Sequence, residues 1–448
     1  MANVGFAQVE ISCLAGTPLG GNVRSDKAAR GVHDPLHATV AVIESGSETF
    51  VLVGLDLVSA PRDLVEHISA EIEFLTGIPA AMISVSATHT HSGPDVMRGG
   101  GMDALDYSAI DGWRESAVPA IAEVAAEAQR SALPATLYLC STDVPQLSFN
   151  RRLAHRDGTT HMNWETLEPD DVLAELGPID TELIVLVFSD KYGTPIGTLV
   201  HFTLHPAILV GHDWLVSADY ISETSATIGA ALGGAPVLFL NGALGDINHI
   251  DYRDAGRAIG FEESARVGGL LGQAAVEALA GEITELDVSF VETHSLVVNL
   301  TQRTIDAEQL DRAHKMLAAD SGRPIEALDG IPEEAYALWT ITTGRELKPL
   351  LQVDISIVRL DRVVLVYVPF EVFVEFGLEI RRAFPDFIVR VVSIGGGYYG
   401  YLPTAQAFAE GGYEPTMGTS TIERGQGEQL FKEITTTIHS LLRTEASA

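Results

Sequence analysis

Apolar and polar positions divide the chain into short apolar runs, closed by Gly, Pro or polar residues, and longer stretches with helical spacing. Residues 4–12 and 36–44 read as strands around a polar, Gly-rich connection from Gly16 to His33. The run 49–57 is a further strand with Asp56 at its end, residues 62–75 have helical spacing, and 82–87 is again a strand. This is a β-α-β unit, from which parallel sheets grow. The pattern predicts further helices over about 113–130, 219–232, 260–280, 306–318 and 422–443, and one following Glu371 to about 383. Strands are expected at 135–142, 181–189, 195–204, 237–240, 286–300, 351–360, 362–368 and 387–394. Hairpin turns are expected at Asp190-Lys191-Tyr192-Gly193 and at Asp361-Arg362. Residues 153–180 read as a polar, irregular loop over a site, and 319–350 shows little periodicity. No repeat, low-complexity segment or linker interrupts the pattern. The expectation is a single α/β domain over 1–448. It would hold a mixed β-sheet flanked by helices, with the active site at the carboxyl ends of strands, where open α/β sheets place their ligand crevices.

Composition narrows the function. The 448 residues are 46% hydrophobic and 20% charged, with a formal net charge of −33. Nucleic-acid binding needs clustered Lys and Arg and has no support here. Such acidity speaks for solubility and says little about fold. Two cysteines, Cys13 and Cys140, cannot build a disulfide framework or a zinc knuckle and suit a reducing compartment. The first residues carry no basic region with an apolar stretch behind it, and no run of about 18 apolar residues exists. The expectation is a cytoplasmic protein with no stable membrane anchor. Oligomeric state stays open.

Candidate chemistry gathers at strand ends. In Thr88-His89-Thr90-His91-Ser92-Gly93-Pro94, which follows the run 83–87, the two histidines stand at i and i+2 and point to one side of an extended chain. Both are equal candidates as metal ligands on this pattern. Other strands end in His205, in the segment from Asn241 to Asp246, and in Glu371. Two imidazoles and a carboxylate form a common set for catalytic zinc, with a position left for water, and His89, His205 and Glu371 can supply it. Each of these residues taken singly reads as readily as a strand cap or a satisfied loop residue.

The motifs resemble a known family. Ser86-Ala-Thr-His-Thr-His-Ser-Gly-Pro94 is similar to the THTHSGP segment of neutral (non-lysosomal) ceramidases, and Phe149-Asn150-Arg151 to their Asn-Arg-Ser segment. His201-Phe-Thr-Leu-His-Pro206 with Leu215-Val-Ser-Ala-Asp219 resembles their Asn-Phe-x-x-His-Pro and Leu-Val-Ser-x-Asp blocks. Asn241-Gly-Ala-Leu-Gly-Asp246 looks like the segment ahead of their active-site serine. Val368-Pro-Phe-Glu371, Tyr399-Gly-Tyr-Leu-Pro403 and Gly412-Tyr-Glu414 resemble their final blocks. The likeness runs over nearly the whole chain, to the N-terminal catalytic domain of these enzymes. It implies one Zn2+ per chain on His89, His205, Glu371 and Tyr413. It also implies that His91 is a non-ligand histidine facing substrate or a developing oxyanion, and that Arg151 holds a substrate oxygen or that oxyanion. A phenolate ligand is chemically reasonable because a cation stabilises it. The ordinary reading of Arg151 is a salt bridge in an acidic protein.

Three departures shape the expected function. Asn248 stands where the family carries a serine, and an amide is no nucleophile, although it can donate to an oxyanion or hold a water. The β-sandwich domain that follows in those ceramidases and their usual secretion signal are not expected here. The resemblance therefore implies a zinc-dependent hydrolase that cleaves a linear N-acyl amide by metal-activated water, with Asp246 and Asn248 orienting neighbours and the general base unassigned. One alternative is metal-dependent hydrolysis of an ester, lactone or cyclic amide in a small polar metabolite. Another is a non-catalytic small-molecule-binding protein. A two-metal site recruiting Asp56, Asp219 or Asp246 is a further alternative.

Overall fold

The structure is a computed structural model, which describes residues 2–21, 27–46, 48–97, 107–210, 212–254, 259–288, 291–319 and 333–444. Its largest element is a nine-stranded sheet. In spatial order the main path runs Val237–Asn241, Pro195–Phe202, Glu182–Asp190, Leu133–Asp143, Ala2–Glu10, His37–Ser45, Glu48–Leu55, Ile83–Ala87, and Thr284–Leu286 also pairs with Leu133–Asp143. Pairing is parallel at the two ends of this path, Pro195–Phe202 with Val237–Asn241 and Glu48–Leu55 with Ile83–Ala87. It is antiparallel between. The β-α-β unit predicted around residues 49–87 is thus present, with helix Arg62–Thr76 as its crossover.

A four-stranded sheet, Val291–Thr301, Leu350–Leu360, Val363–Val368 and Ile388–Ser393, lies against one face of the large sheet. Side-chain alternation explains the stacking, because successive residues of a strand point to opposite faces. In the strand His37–Ser45, Val40 and Val42 face helices Arg62–Thr76 and Ser108–Arg130, whereas Ala41 and Ile43 face the second sheet. Val51 and Val53 divide from Phe50 and Leu52 in the same way. A strand buried on both faces reads as a continuous apolar run, which is why these segments were legible as strands. Further along, helices Tyr220–Ala231 and Phe261–Leu279 cover the large sheet. Helices Val374–Ala383 and Gln426–Thr444 cover the outer face of the second. The layers run helix, sheet, sheet, helix.

The mixed sheet flanked by helices is therefore as the sequence predicts, and several boundaries differ. The predicted strand 286–300 is two elements: Thr284–Leu286 joins the large sheet and Val291–Thr301 the second. Residues 153–180 are not an irregular loop. They contain a hairpin, Arg152–His155 with Thr160–Met162, and a third strand, Val172–Glu175. The helix expected at 113 begins at Ser108, and helix Glu333–Glu346 occupies part of 319–350. Both predicted hairpin turns are made, Asp361 in a left-handed conformation. No helix among the described residues is long and apolar enough to cross a membrane.

Candidate active site

The loop after strand Ile83–Ala87 is held by its neighbours. Leu55 and Leu57 carbonyls accept the Thr88 and His89 N–H groups, both at 2.8 Å, and the Asn241 amide donates to the Thr88 carbonyl at 2.9 Å. His89 adopts φ 76°, a left-handed conformation that costs an L-residue roughly 1–2 kcal/mol. The kink turns its ring inward, where Nδ1–H donates to the Val58 carbonyl. His91 Nδ1–H donates to the Gly21 carbonyl at 3.0 Å. Gly21 has φ 74°, and a Cβ there would stand 2.5 Å from His91 Nδ1, so only glycine leaves room for this ring. His205 lies beyond strand Pro195–Phe202, with Nδ1 facing the Leu244 carbonyl at 3.5 Å. Glu371 follows strand Val363–Val368 and pairs in parallel with Tyr401.

The unspent atoms of these four residues meet. His91 Nε2 lies 3.4 Å from His89 Nε2 and 3.2 Å from His205 Nε2. Glu371 Oε2 lies 3.2 Å from His89 Nε2 and 3.9 Å from His205 Nε2. His89 and His91 aim Nδ1 at carbonyls, which leaves their Nε2 atoms facing the centre beside His205 Nε2, and the buried Glu371 Oε2 accepts no hydrogen bond. Three imidazole nitrogens and a carboxylate oxygen are thus crowded into one buried site. A cation at their centre gives the orphaned oxygen a partner, so the donor set fits a metal. Burial and the neighbouring His89 lower His91 to about 3, and burial, His89 and Arg151 hold His205 well below its usual value. Burial pushes Glu371 up, and His89 more than offsets it, leaving about 2. At neutral pH both imidazoles are neutral and the carboxyl is ionised, the states that metal ligands need.

Arg151 approaches from the other side. Its Nε donates to Glu414 Oε1 at 2.8 Å, and Arg152 Nη1 donates to Glu414 Oε2 at 2.7 Å. Arg151 Nη1 lies 3.4 Å from His205 Nδ1, whereas its buried Nη2 makes no hydrogen bond. The guanidinium carbon sits 5.0 Å from the Trp164 ring, 5.4 Å from Tyr401 and 5.8 Å from Tyr413. Burial lowers the guanidinium's affinity for its proton, but Tyr401, Glu414 and Glu371 raise it further, so the charge is retained. Tyr398 donates to Glu371 Oε1 at 2.7 Å. Burial and Glu371 push the phenols of Tyr398, Tyr401 and Tyr413 up, more than Arg151 lowers them, so each keeps its proton.

Asp246 and Asn248 stand behind this set. Asp246 accepts from Asn150 Nδ2 at 2.8 Å and from the Val374 N–H at 2.8 Å, and its carbonyl accepts the Arg151 N–H at 2.9 Å. It ties the Arg151 segment to the helix that begins three residues after Glu371. Burial raises its carboxyl to about 7. Asn248 forms a reciprocal amide pair with Asn163, at 2.8 and 2.6 Å, and the Asn163 N–H donates to the Arg151 carbonyl at 2.8 Å. Asp219 caps helix Tyr220–Ala231 and accepts three backbone N–H groups, and Asp56 accepts His37 N–H and Thr88 Oγ1. Their oxygens are engaged with the protein's own donors, and among the described residues no cluster with ligand spacing includes Asp56, Asp219 or Asp246.

Known proteins match this chain. Residues 3–234 fit the model of the neutral/alkaline non-lysosomal ceramidase N-terminal family. The chain belongs to that family. With that it is an enzyme, a hydrolase of N-acyl amide C–N bonds. The neutral ceramidase of Pseudomonas aeruginosa shares the fold: TM-score 0.72 at 20% identity, over 98% of this chain and 74% of that one. A structure of a ceramidase complexed with C2 gives TM-score 0.70 at 20% identity, over 98% and 75%. Within the ceramidase-family match lie His89, His91, Arg151 and His205; Asp246, Asn248, Glu371 and Tyr413 lie beyond its last residue and within the span of the fold match.

The ceramidase-like motifs thus bring His89, His91, His205 and Glu371 into one cluster, with Arg151 touching it. Tyr413 lies beside Arg151 and packs its ring against Tyr401 and Trp164. Sequence reasoning missed Trp164, Tyr398, Asn163 and the bracing role of Glu414. A lone tryptophan in the polar stretch 153–180 was the available signal for Trp164. Tyr398 directly precedes the quoted Tyr399-Gly-Tyr-Leu-Pro403 block, with nothing in the sequence to show which tyrosine faces Glu371.

Proposed function

We propose that the chain is a zinc-dependent hydrolase that cleaves a linear N-acyl amide, with His89, His205, Glu371 and Tyr413 as zinc ligands. The convergence of three Nε2 atoms on the orphaned Glu371 Oε2 carries this reading. A bound zinc supplies Lewis-acid polarisation of a carbonyl and lowers the pKa of a water toward about 7. The chain's own residues do the rest. Arg151, whose Nη1 lies beside His205 and whose Nη2 is unspent, would donate to the developing oxyanion. His91 would accept a hydrogen bond from substrate or from the attacking water at Nε2. Tyr398 holds the Glu371 carboxylate in place from Oε1. Asn248 offers no nucleophile, so water attack replaces an acyl-enzyme at that position.

The fourth ligand has a second reading. His91 Nε2 is as close to the other imidazoles as they are to Glu371, which favours a three-histidine set. One set of variants separates the two. Dialysed protein is expected to hold about one tightly bound zinc per chain, and His89→Ala and His205→Ala to lose both metal and activity. His91→Ala should keep the zinc and lose about 10²-fold or more in kcat, the cost of removing a positioned proton acceptor. Loss of zinc in His91→Ala would establish the three-histidine set, and metal-free, folded, active protein would end the zinc reading. Parallel assays with N-acyl lipids, small linear amides and lactones identify the substrate. Turnover of lactones alone would replace the linear amide.

A further inference from the structure

A second cluster of ligating atoms lies on the hairpin Arg152–His155 with Thr160–Met162. His155 Nδ1 and His161 Nε2 approach the same oxygen, Asp157 Oδ2, at 3.1 and 3.0 Å. The other oxygen of Asp157 is held by Thr159, from N–H at 2.8 Å and from Oγ1 at 2.7 Å, so the turn itself presents Oδ2 to the two rings. Ring protonation follows from the partners. His161 Nδ1 meets Glu165 Oε2 at 2.6 Å and Nε2 meets Asp157 Oδ2 at 3.0 Å; burial lowers the ring's pKa, but these two carboxylates more than offset it, so an ion at Nε2 takes the place of a proton. His155 Nδ1 faces both the Asp157 N–H, at 3.4 Å, and Asp157 Oδ2, at 3.1 Å. Two imidazole nitrogens and a carboxylate oxygen therefore face one another within 4.8 Å.

We infer that His155, Asp157 and His161 form a second metal site for a divalent transition ion, outside the active centre. The donor set selects the chemistry: imidazole nitrogen with one carboxylate oxygen suits Zn2+, Co2+, Ni2+ or Cu2+, whereas Mg2+ and Ca2+ prefer oxygen alone. Glu165 supplies what a ligating histidine ordinarily has, a carboxylate on its other nitrogen that sets tautomer and ring orientation. The side chains are 16%, 47% and 26% exposed, so the ion would keep water in its remaining positions and exchange with solution. This makes the site weaker than the buried one. It also reaches the active centre: Asn163 and Trp164, the residues that follow the hairpin, hold the Arg151 carbonyl and stack under its guanidinium. An ion across the hairpin tip ties down the element that carries them.

The test uses Co2+ or Zn2+ titrated into the folded protein at neutral pH, read by calorimetry and by the Co2+ visible spectrum. Wild type should take up a second, weaker equivalent that is absent from His161→Ala and from His155→Ala, with unchanged thermal unfolding of the metal-free variants. The same titration in His205→Ala should retain the weaker equivalent, and His205→Ala with His161→Ala should lose it. That arm keeps the inference independent of the zinc hydrolase reading. Equal uptake by wild type and His161→Ala, or uptake unchanged by both histidine substitutions, overturns it.

Discussion

Arg151 is a buried cation with one donor left over. Its charge is balanced by Glu414, its plane lies against Trp164, Tyr401 and Tyr413, and Nη2 has no partner. A buried donor left unmade costs roughly 1–3 kcal/mol, which folding alone has no reason to tolerate. Lysine keeps the charge and loses both the planar stacking and the fork of donors. Arg151→Lys is therefore expected to lower kcat/KM by about 10²-fold while metal content stays at the wild-type level. An unchanged rate would remove Arg151 from the reaction. At this scale the sequence was partly legible. The histidines and Glu371 are visible because strand ends next to Gly or Pro mark them. Glu414 and Asn163 are not, because their roles arise from contacts across 263 residues in one case and 85 in the other.

Among the elements, the strand Pro195–Phe202 does more than deliver His205. Its His201 sends Nε2–H to the Val391 carbonyl at 2.8 Å, a hydrogen bond from the large sheet to the second one. Burial, reinforced by Arg390, lowers this imidazole to about 4. The folded state therefore refuses a proton that the unfolded chain accepts below about 6.5. The stability tied to His201 is present above 6.5 and is lost as pH falls from there through 4, a change on the order of 3 kcal/mol. His201→Gln keeps a donor for Val391 and cannot titrate. Denaturant unfolding of the chelated proteins should show wild type losing stability between pH 7 and 4 by that amount more than the variant. Parallel curves would remove His201 from the pH response. Strands buried on both faces were easy to read from the chain. That the apolar face of residues 351–368 would dock on another sheet, rather than on helices, was not, since period-two burial looks the same against either partner.

Across the whole molecule, the two sheets meet close to the metal cluster. Gly396 N–H donates to the Val85 carbonyl at 2.8 Å and Ala87 N–H to the Ile394 carbonyl at 3.2 Å, linking the edge strand of the large sheet to the segment after Ile388–Ser393. His89, His91 and His205 come from loops of the large sheet, and Glu371 comes from the second. Half of the chain thus brings nitrogen and the other half brings oxygen. The order of maturation follows. With Glu371 and Tyr413 as ligands neither half holds a complete donor set by itself, and the apolar core between the sheets supplies the reason for docking without any ion. Metal acquisition is then a late step, open to a chain that has already folded. Protein refolded under chelator should recover its native near-ultraviolet circular dichroism, and then gain zinc and activity together on addition of the ion. A requirement for zinc during refolding would reverse that order.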